Sequence, residues 1–202
     1  TLTAGTSKNQ KKLIERYAEI SNMLHTAYPN IPIHIQLEPV VEKEWFDLLK
    51  ENGVATVGIH IEILDDNVRK EMCPGKSKIS YETYKKAWKL GCETFGVNNI
   101  SSFILIGYPE DKDIRASRLK EMVELGVVPF IVPVRYIPQN PYECPEVNPF
   151  ELYDICYDVS KEMIKNNRDP FKNIAGCVPC GACGPILDAY EFVKAGNQKE
   201  KK

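Results

Sequence analysis

No charge of one sign dominates this chain: 26 Lys and Arg stand against 28 Asp and Glu, a formal charge of -2. A protein that tracks a phosphate backbone or an anionic lipid surface needs a basic field, so no nucleic-acid and no membrane partner is expected. No apolar run approaches the roughly 18 residues of a membrane-spanning helix. The opening Thr1-Leu2-Thr3 also has neither the basic region nor the apolar stretch of a secretory signal. A cytoplasmic protein is expected. A disulfide framework is poorly supported, because seven cysteines is an odd count and three are crowded into one short run. That usage suits thiolate chemistry in a reducing compartment. Lysine is missing from the predicted strand cores, which weakens an aldolase-like reading.

What is present is enough apolar sequence for one core, at 43% hydrophobic and 27% charged residues. Lys8 to Tyr28 carries Leu13, Ile14, Tyr17, Ile20 and Leu24 at three- and four-residue steps, which predicts an amphipathic helix. Strand and helix then alternate: a strand over Ile31 to Glu38, a helix from Glu42 to Asn52, and a strand from Ala55 to Ile61. Next come a helix from Tyr81 to Leu90 stopped by Gly91, a strand from Asn99 to Ile106, and a helix from Asp113 to Leu125 stopped by Gly126. A strand from Val127 to Val134 and a helix from Pro149 to Asn166 complete the pattern. Apolar strands separated by helices pair in parallel with right-handed crossovers. The fold class is therefore α/β, either a doubly wound sheet or a partial (β/α) TIM-type barrel. The barrel is favoured because polar residues recur at strand ends: Thr3 and Thr6, Gln36 and Glu38, His60 and Glu62, Glu110, and Arg135. The charged tail from Ala195 lacks apolar periodicity and is expected to be disordered.

The strongest local signal is Cys177-Val-Pro-Cys180-Gly-Ala-Cys183-Gly-Pro185. Thiolates at this spacing in a Gly/Pro turn can converge on a cubane iron–sulfur cluster, with zinc as the alternative. A fourth ligand would come from Cys144, Cys156, an exogenous group or substrate. Cys73 and Cys92 stand alone and read as structural. His60 and Glu62 alternate along one strand end, so they share a face and can meet ribose hydroxyls or a carboxylate. His34, between isoleucines, reads as a packed or lumen-facing histidine. The alternative to an enzyme is a non-catalytic α/β module in which the cysteines fix a structural zinc.

Taken in order, these segments resemble a radical S-adenosylmethionine (radical SAM) enzyme of the biotin synthase and lipoyl synthase type, from residue 1 to about residue 142. Thr1 to Thr6 resembles the small, glycine-containing end of that family's second strand, which holds the methionine amino group. Val57-Gly-Ile-His-Ile-Glu62 resembles the fourth-strand Asn-X-Asn-Leu-Asp/Glu element, with Glu62 at its acidic, ribose-binding position and His60 replacing an Asn. Cys73-Pro-Gly-Lys-Ser-Lys-Ile-Ser-Tyr81 resembles the loop in which the family places an arginine, with Lys76 and Lys78 as the cations here. Ile104-Leu-Ile-Gly107-Tyr-Pro-Glu110 and Val128 to Pro138 resemble the fifth and sixth strands, beside adenine.

The resemblance implies SAM contacts at Thr3, Gly5, Thr6, His60, Glu62, Lys78, Gly107 and Val134, and a small-molecule substrate near Gln36, Glu38 and Arg135. No catalytic residue is singled out. It implies a SAM-cleaving 4Fe-4S cluster on a CxxxCxxC loop, which this chain lacks. A missing N-terminal segment or a partner chain is therefore expected to complete the barrel, with ferredoxin or flavodoxin as electron donor. Cys177, Cys180 and Cys183 fall where family members often carry an auxiliary cluster. The expected organisation is a partial barrel over 1–147, a final helix and Cys-rich extension over 148–190, and a disordered tail over 191–202.

Overall fold

A computed structural model describes residues 1–135, 138 and 145–199. Four strands, β1 (Ile33–Gln36), β2 (Val54–Gly58), β3 (Ile100–Ile106) and β4 (Val127–Pro133), form one parallel sheet in the order β1-β2-β3-β4. Sequential order without a reversal has no topological switch point. It is the order of a barrel section and not that of a doubly wound sheet. At the β1 edge Leu2 pairs with Ile35, its amide donating to His34 and its carbonyl accepting from Gln36.

The helices form one layer outside the sheet: α1 (Gln10–Ala27), α2 (Lys43–Glu51), α4 (Tyr81–Phe95), α5 (Lys112–Leu125) and α6 (Pro149–Lys165) pack in chain order, and α8 (Ile186–Lys199) closes on α6. Strand alternation explains the layering. Ile35, Val57, Ile59, Ile100 and Ile104 are wholly buried beneath helices, whereas His34, Thr56 and Phe103 point to the concave face. Side-chain caps set several helix starts: Asn9 accepts from Lys12, Ser80 from Thr83, and Asp111 from Asp113 and Ile114.

Two expectations are corrected. Gly91 does not stop α4, which runs on to Phe95. A Cβ at Gly91 would stand 2.8 Å from Ile100 Cδ1, so the glycine lets the helix lie close on β3. Residues 191–199, expected as a disordered tail, continue α8, because Tyr190 and Val193 supply a buried face. Two short helices were not foreseen: α3 (Asp66–Met72), capped by Asp65, and α7 (Cys177–Cys180). None of the described helices is long and apolar enough to cross a membrane.

Candidate active site

A cavity of about 500 Å³ opens at the carboxyl ends of the strands, within the range of small-molecule sites. Thr3, Gly5 and Thr6 line it from the segment ahead of α1, and Gln36 and Glu38 from the end of β1. His60 and Glu62 line it from beyond β2, and Lys76 and Lys78 from the loop before α4. A hollow of about 650 Å³ between α5 and α6 is larger, yet none of the strand-end residues reaches it.

Glu62 is locked by backbone. It has φ of 70°, its amide donates to Phe103 at 3.0 Å, and its carbonyl accepts from Leu105 at 2.8 Å. A left-handed conformation at a non-glycine residue is uncommon and persists where its surroundings over-determine it. The Glu62 carboxylate meets Lys76 Nζ at 2.6 Å, and Lys76 also donates to the His60 carbonyl at 2.9 Å. The Cys73 thiol donates to Glu62 at 3.7 Å, and burial followed by the Glu62 charge pushes that thiol up to about 11. Thr6 Oγ1 donates to Glu38 at 3.0 Å, with Gln10 on the other carboxylate oxygen.

His60 stacks on Phe103 with ring centroids 4.2 Å apart and 8° between planes, while its Nδ1 accepts from the Phe103 amide. Burial, with the Lys76 and His34 charges, pushes its pKa down to about 3. Burial does the same to His34, down to about 4. Both imidazoles are neutral at physiological pH.

Other predicted residues lie elsewhere. Gly107 and Val134 are close to each other, with Val147, and do not line the cavity. Arg135, expected on the substrate side, is exposed and donates to the Cys183 carbonyl at 3.1 Å. Glu110 is a buried brace, accepting from the Leu64 and Asp65 amides at 2.6 and 2.9 Å beside Arg115.

The Cys-bearing segment crosses the concave face. Thr56 donates to the Ala175 carbonyl at 3.1 Å. Gly176 packs on the His34 ring, and a Cβ on Gly184 would fall 1.8 Å from the Ile131 carbonyl oxygen. Gln36 Nε2 donates to Cys177 Sγ at 3.9 Å, which ties this segment to the cavity wall. Cys177 and Cys183 are half-buried and Cys180 is exposed. Burial raises the Cys177 thiol, and the neighbouring Cys183 and Cys180 charges raise it further, so the three thiols feel one another. Their chemistry fits a thiolate site, although among the described residues no three His, Cys, Asp or Glu groups are already gathered as one. Cys156 is a buried core thiol pushed up to about 12. Cys144 lies outside the described residues.

Comparison with known proteins gives this arrangement its family. Residues 1–123 match the Radical SAM superfamily, which is more than half of the chain. The chain belongs to the radical SAM superfamily. Membership brings S-adenosylmethionine and a 4Fe-4S cluster at the level of the superfamily, whose members are enzymes. Among curated proteins it is similar to 5-amino-6-(D-ribitylamino)uracil--L-tyrosine 4-hydroxyphenyl transferase 2 of Methanococcus maripaludis. That match is 33% identical over 63% of this chain and 38% of the relative. The corresponding transferases of Methanocaldococcus jannaschii and Methanococcus aeolicus are each 47% identical over 26% of this chain and 15% of the relative. The chain thus spans well under half the length of these relatives.

Sequence reasoning missed the structural role of Lys76 as the partner of Glu62 and missed the part played by Thr56 and Ala175. Only the Gly-Cys and Cys-Gly flanks of the cysteine run, at Gly176 and Gly184, signalled a close approach.

Proposed function

We propose that this chain forms SAM- and substrate-binding walls of a radical SAM enzyme. Thr3, Gly5, Thr6, His60, Glu62, Lys76 and Lys78 serve the cofactor, and Gln36 and Glu38 serve a small-molecule substrate. The observation that carries this reading is the convergence of residues from four separate segments on one cavity at the carboxyl ends of the strands.

The donor set suits the cofactor. Glu62 offers acceptors to ribose hydroxyls, and the two lysines offer single-point charges to a carboxylate. A Cβ at Gly5 would meet nothing within 4 Å, which leaves that wall open to close approach. His60, held neutral, contributes an imidazole face without a positive charge that would repel a sulfonium. Bound beside a reduced 4Fe-4S cluster, S-adenosylmethionine would supply radical hydrogen-abstraction chemistry to the substrate. The protein's own work is to orient, shield and exclude side reactions. No CxxxCxxC occurs in the sequence, so in this reading the ligands of the SAM-cleaving cluster would come from residues outside it. An N-terminal segment or partner chain would add at the Leu2 edge, and ferredoxin or flavodoxin would deliver the electron.

Cys177, Cys180 and Cys183 would hold an auxiliary cluster, and the Gln36–Cys177 contact brings that segment to the substrate side. The biotin synthase-like strand-end motifs, and a cytoplasmic location, belong to the same reading. So does a small polar substrate of the kind named for the transferases.

Protein purified without oxygen should contain iron and acid-labile sulfide that vanish in Cys177→Ala, Cys180→Ala and Cys183→Ala. Zinc without sulfide would remove the auxiliary cluster. With the preceding segment supplied, Glu62→Gln should weaken SAM binding about 10- to 100-fold by calorimetry, the equivalent of losing a hydrogen bond to a charged group. Unchanged affinity would overturn the assignment of Glu62.

A further inference from the structure

Two buried polar atoms on the concave face are left without partners at one spot. His34 is only 1% exposed. It and His60 flank Gly58, where a Cβ would stand 3.2 Å from His34 Nε2 and 2.7 Å from His60 Nε2. Both Nε2 atoms are sealed from solvent, and neither makes a hydrogen bond. Orphaned buried polar groups of this kind are rare and costly, and a trapped water is a common resolution.

The hydrogen-bond network fixes which nitrogen carries the proton in each ring. Phe103 N–H can only donate, and it points to His60 Nδ1 at 3.1 Å. In the neutral imidazole His60 Nε2 therefore bears the hydrogen. On the other side, the Ala175 carbonyl can only accept, so its 3.1 Å contact uses the single hydrogen of the Thr56 hydroxyl. The 2.7 Å contact between Thr56 Oγ1 and His34 Nδ1 is then donated by the ring, which leaves His34 Nε2 with a lone pair. A donor and an acceptor thus both lie within about 3.2 Å of the point where a Gly58 Cβ would stand.

We propose that this space between His34 Nε2 and His60 Nε2 is a binding site for one neutral water molecule, which accepts from His60 and donates to His34. A metal ion does not suit it, because both rings would have to offer lone pairs and His60 commits its own to Phe103. An anion would meet the His34 lone pair, and a cation the His60 N–H. With water in place, the bonds run one way from the Phe103 amide through His60, water, His34 and Thr56 to the Ala175 carbonyl. Both ends are backbone groups that cannot exchange roles, so the chain orients and braces but carries no net proton. It fastens the cavity wall at Phe103 to the segment that carries Cys177. This inference stands whether or not the SAM assignment holds.

Two measurements on the full 202-residue chain test it. Long-range proton–nitrogen NMR of the metal-free protein at pH 7 should show opposite tautomers, with hydrogen on Nδ1 of His34 and on Nε2 of His60. The same tautomer in both rings would overturn the proposal. A crystal structure that resolves ordered water should place one oxygen within hydrogen-bond distance of both Nε2 atoms. An empty space, or an anomalous metal peak there, would overturn it. His34→Phe should abolish that oxygen peak, and its retention would count against the site. If that variant does not fold, the presence or absence of the ordered oxygen in the native chain still decides.

Discussion

Burying two neutral histidines makes this fold acid-sensitive in a calculable window. An unfolded histidine titrates near pH 6.5, whereas folded His34 and His60 do so at about 4 and about 3. Between those values the unfolded chain takes up protons that the folded chain refuses. Stability is therefore complete above the unfolded value and falls as the pH drops below it. From pH 8 to pH 5 each ring costs about 2 kcal/mol, or about 4 kcal/mol for the pair. That is a large share of the roughly 5–15 kcal/mol typical of a domain. Asp65 and Asp66 have depressed pKa values and contribute little above pH 5, while burial raises Glu110, which opposes the loss slightly. Urea unfolding at pH 8, 6.5 and 5 reads the effect directly. His34→Gln and His60→Gln should each lower stability at pH 8 yet remove about half of the pH dependence. A native midpoint that does not move between pH 8 and pH 5, or variants that keep the full slope, would refute the reasoning.

Gly184→Ala should destabilise the chain by about 3 kcal/mol or prevent docking of the cysteine segment, because the new methyl would meet the Ile131 carbonyl oxygen and backbone cannot rotate aside. Thermal unfolding checks this, and a loss below about 1 kcal/mol would show that the segment can shift. Asp65→Ala removes a carboxylate that accepts from the Asn67, Val68 and Asp111 amides. It should cost about 2 kcal/mol, measured by urea midpoint, with a near-neutral result counting against the cap.

The alternation of strand and helix was legible because buried parallel strands leave long apolar runs. The strand-end positions of Gln36, Glu38, His60 and Glu62 followed from those runs. Lysine pairing was not legible: choosing between Lys76 and Lys78 depends on the left-handed turn at Glu62, which no local pattern announces. Gly91 misled for the opposite reason, since a glycine that admits Ile100 looks identical in sequence to one that ends a helix. The Cys183 carbonyl as partner of Arg135 was not legible either, because it lies 48 residues away. Long-range backbone partners have no signature in composition or period.

The attachment of the cysteine segment has a kinetic consequence. Its contacts join Thr56 to Ala175 and Gln36 to Cys177, separations of 119 and 141 residues. Contacts so distant close large loops and form late, after neighbouring strands and helices have found one another. All four strands, the last ending at Pro133, are synthesised before Cys177, Cys180 and Cys183. The thiols therefore arrive at an existing sheet, and any metal they carry is seated against a finished wall instead of nucleating it.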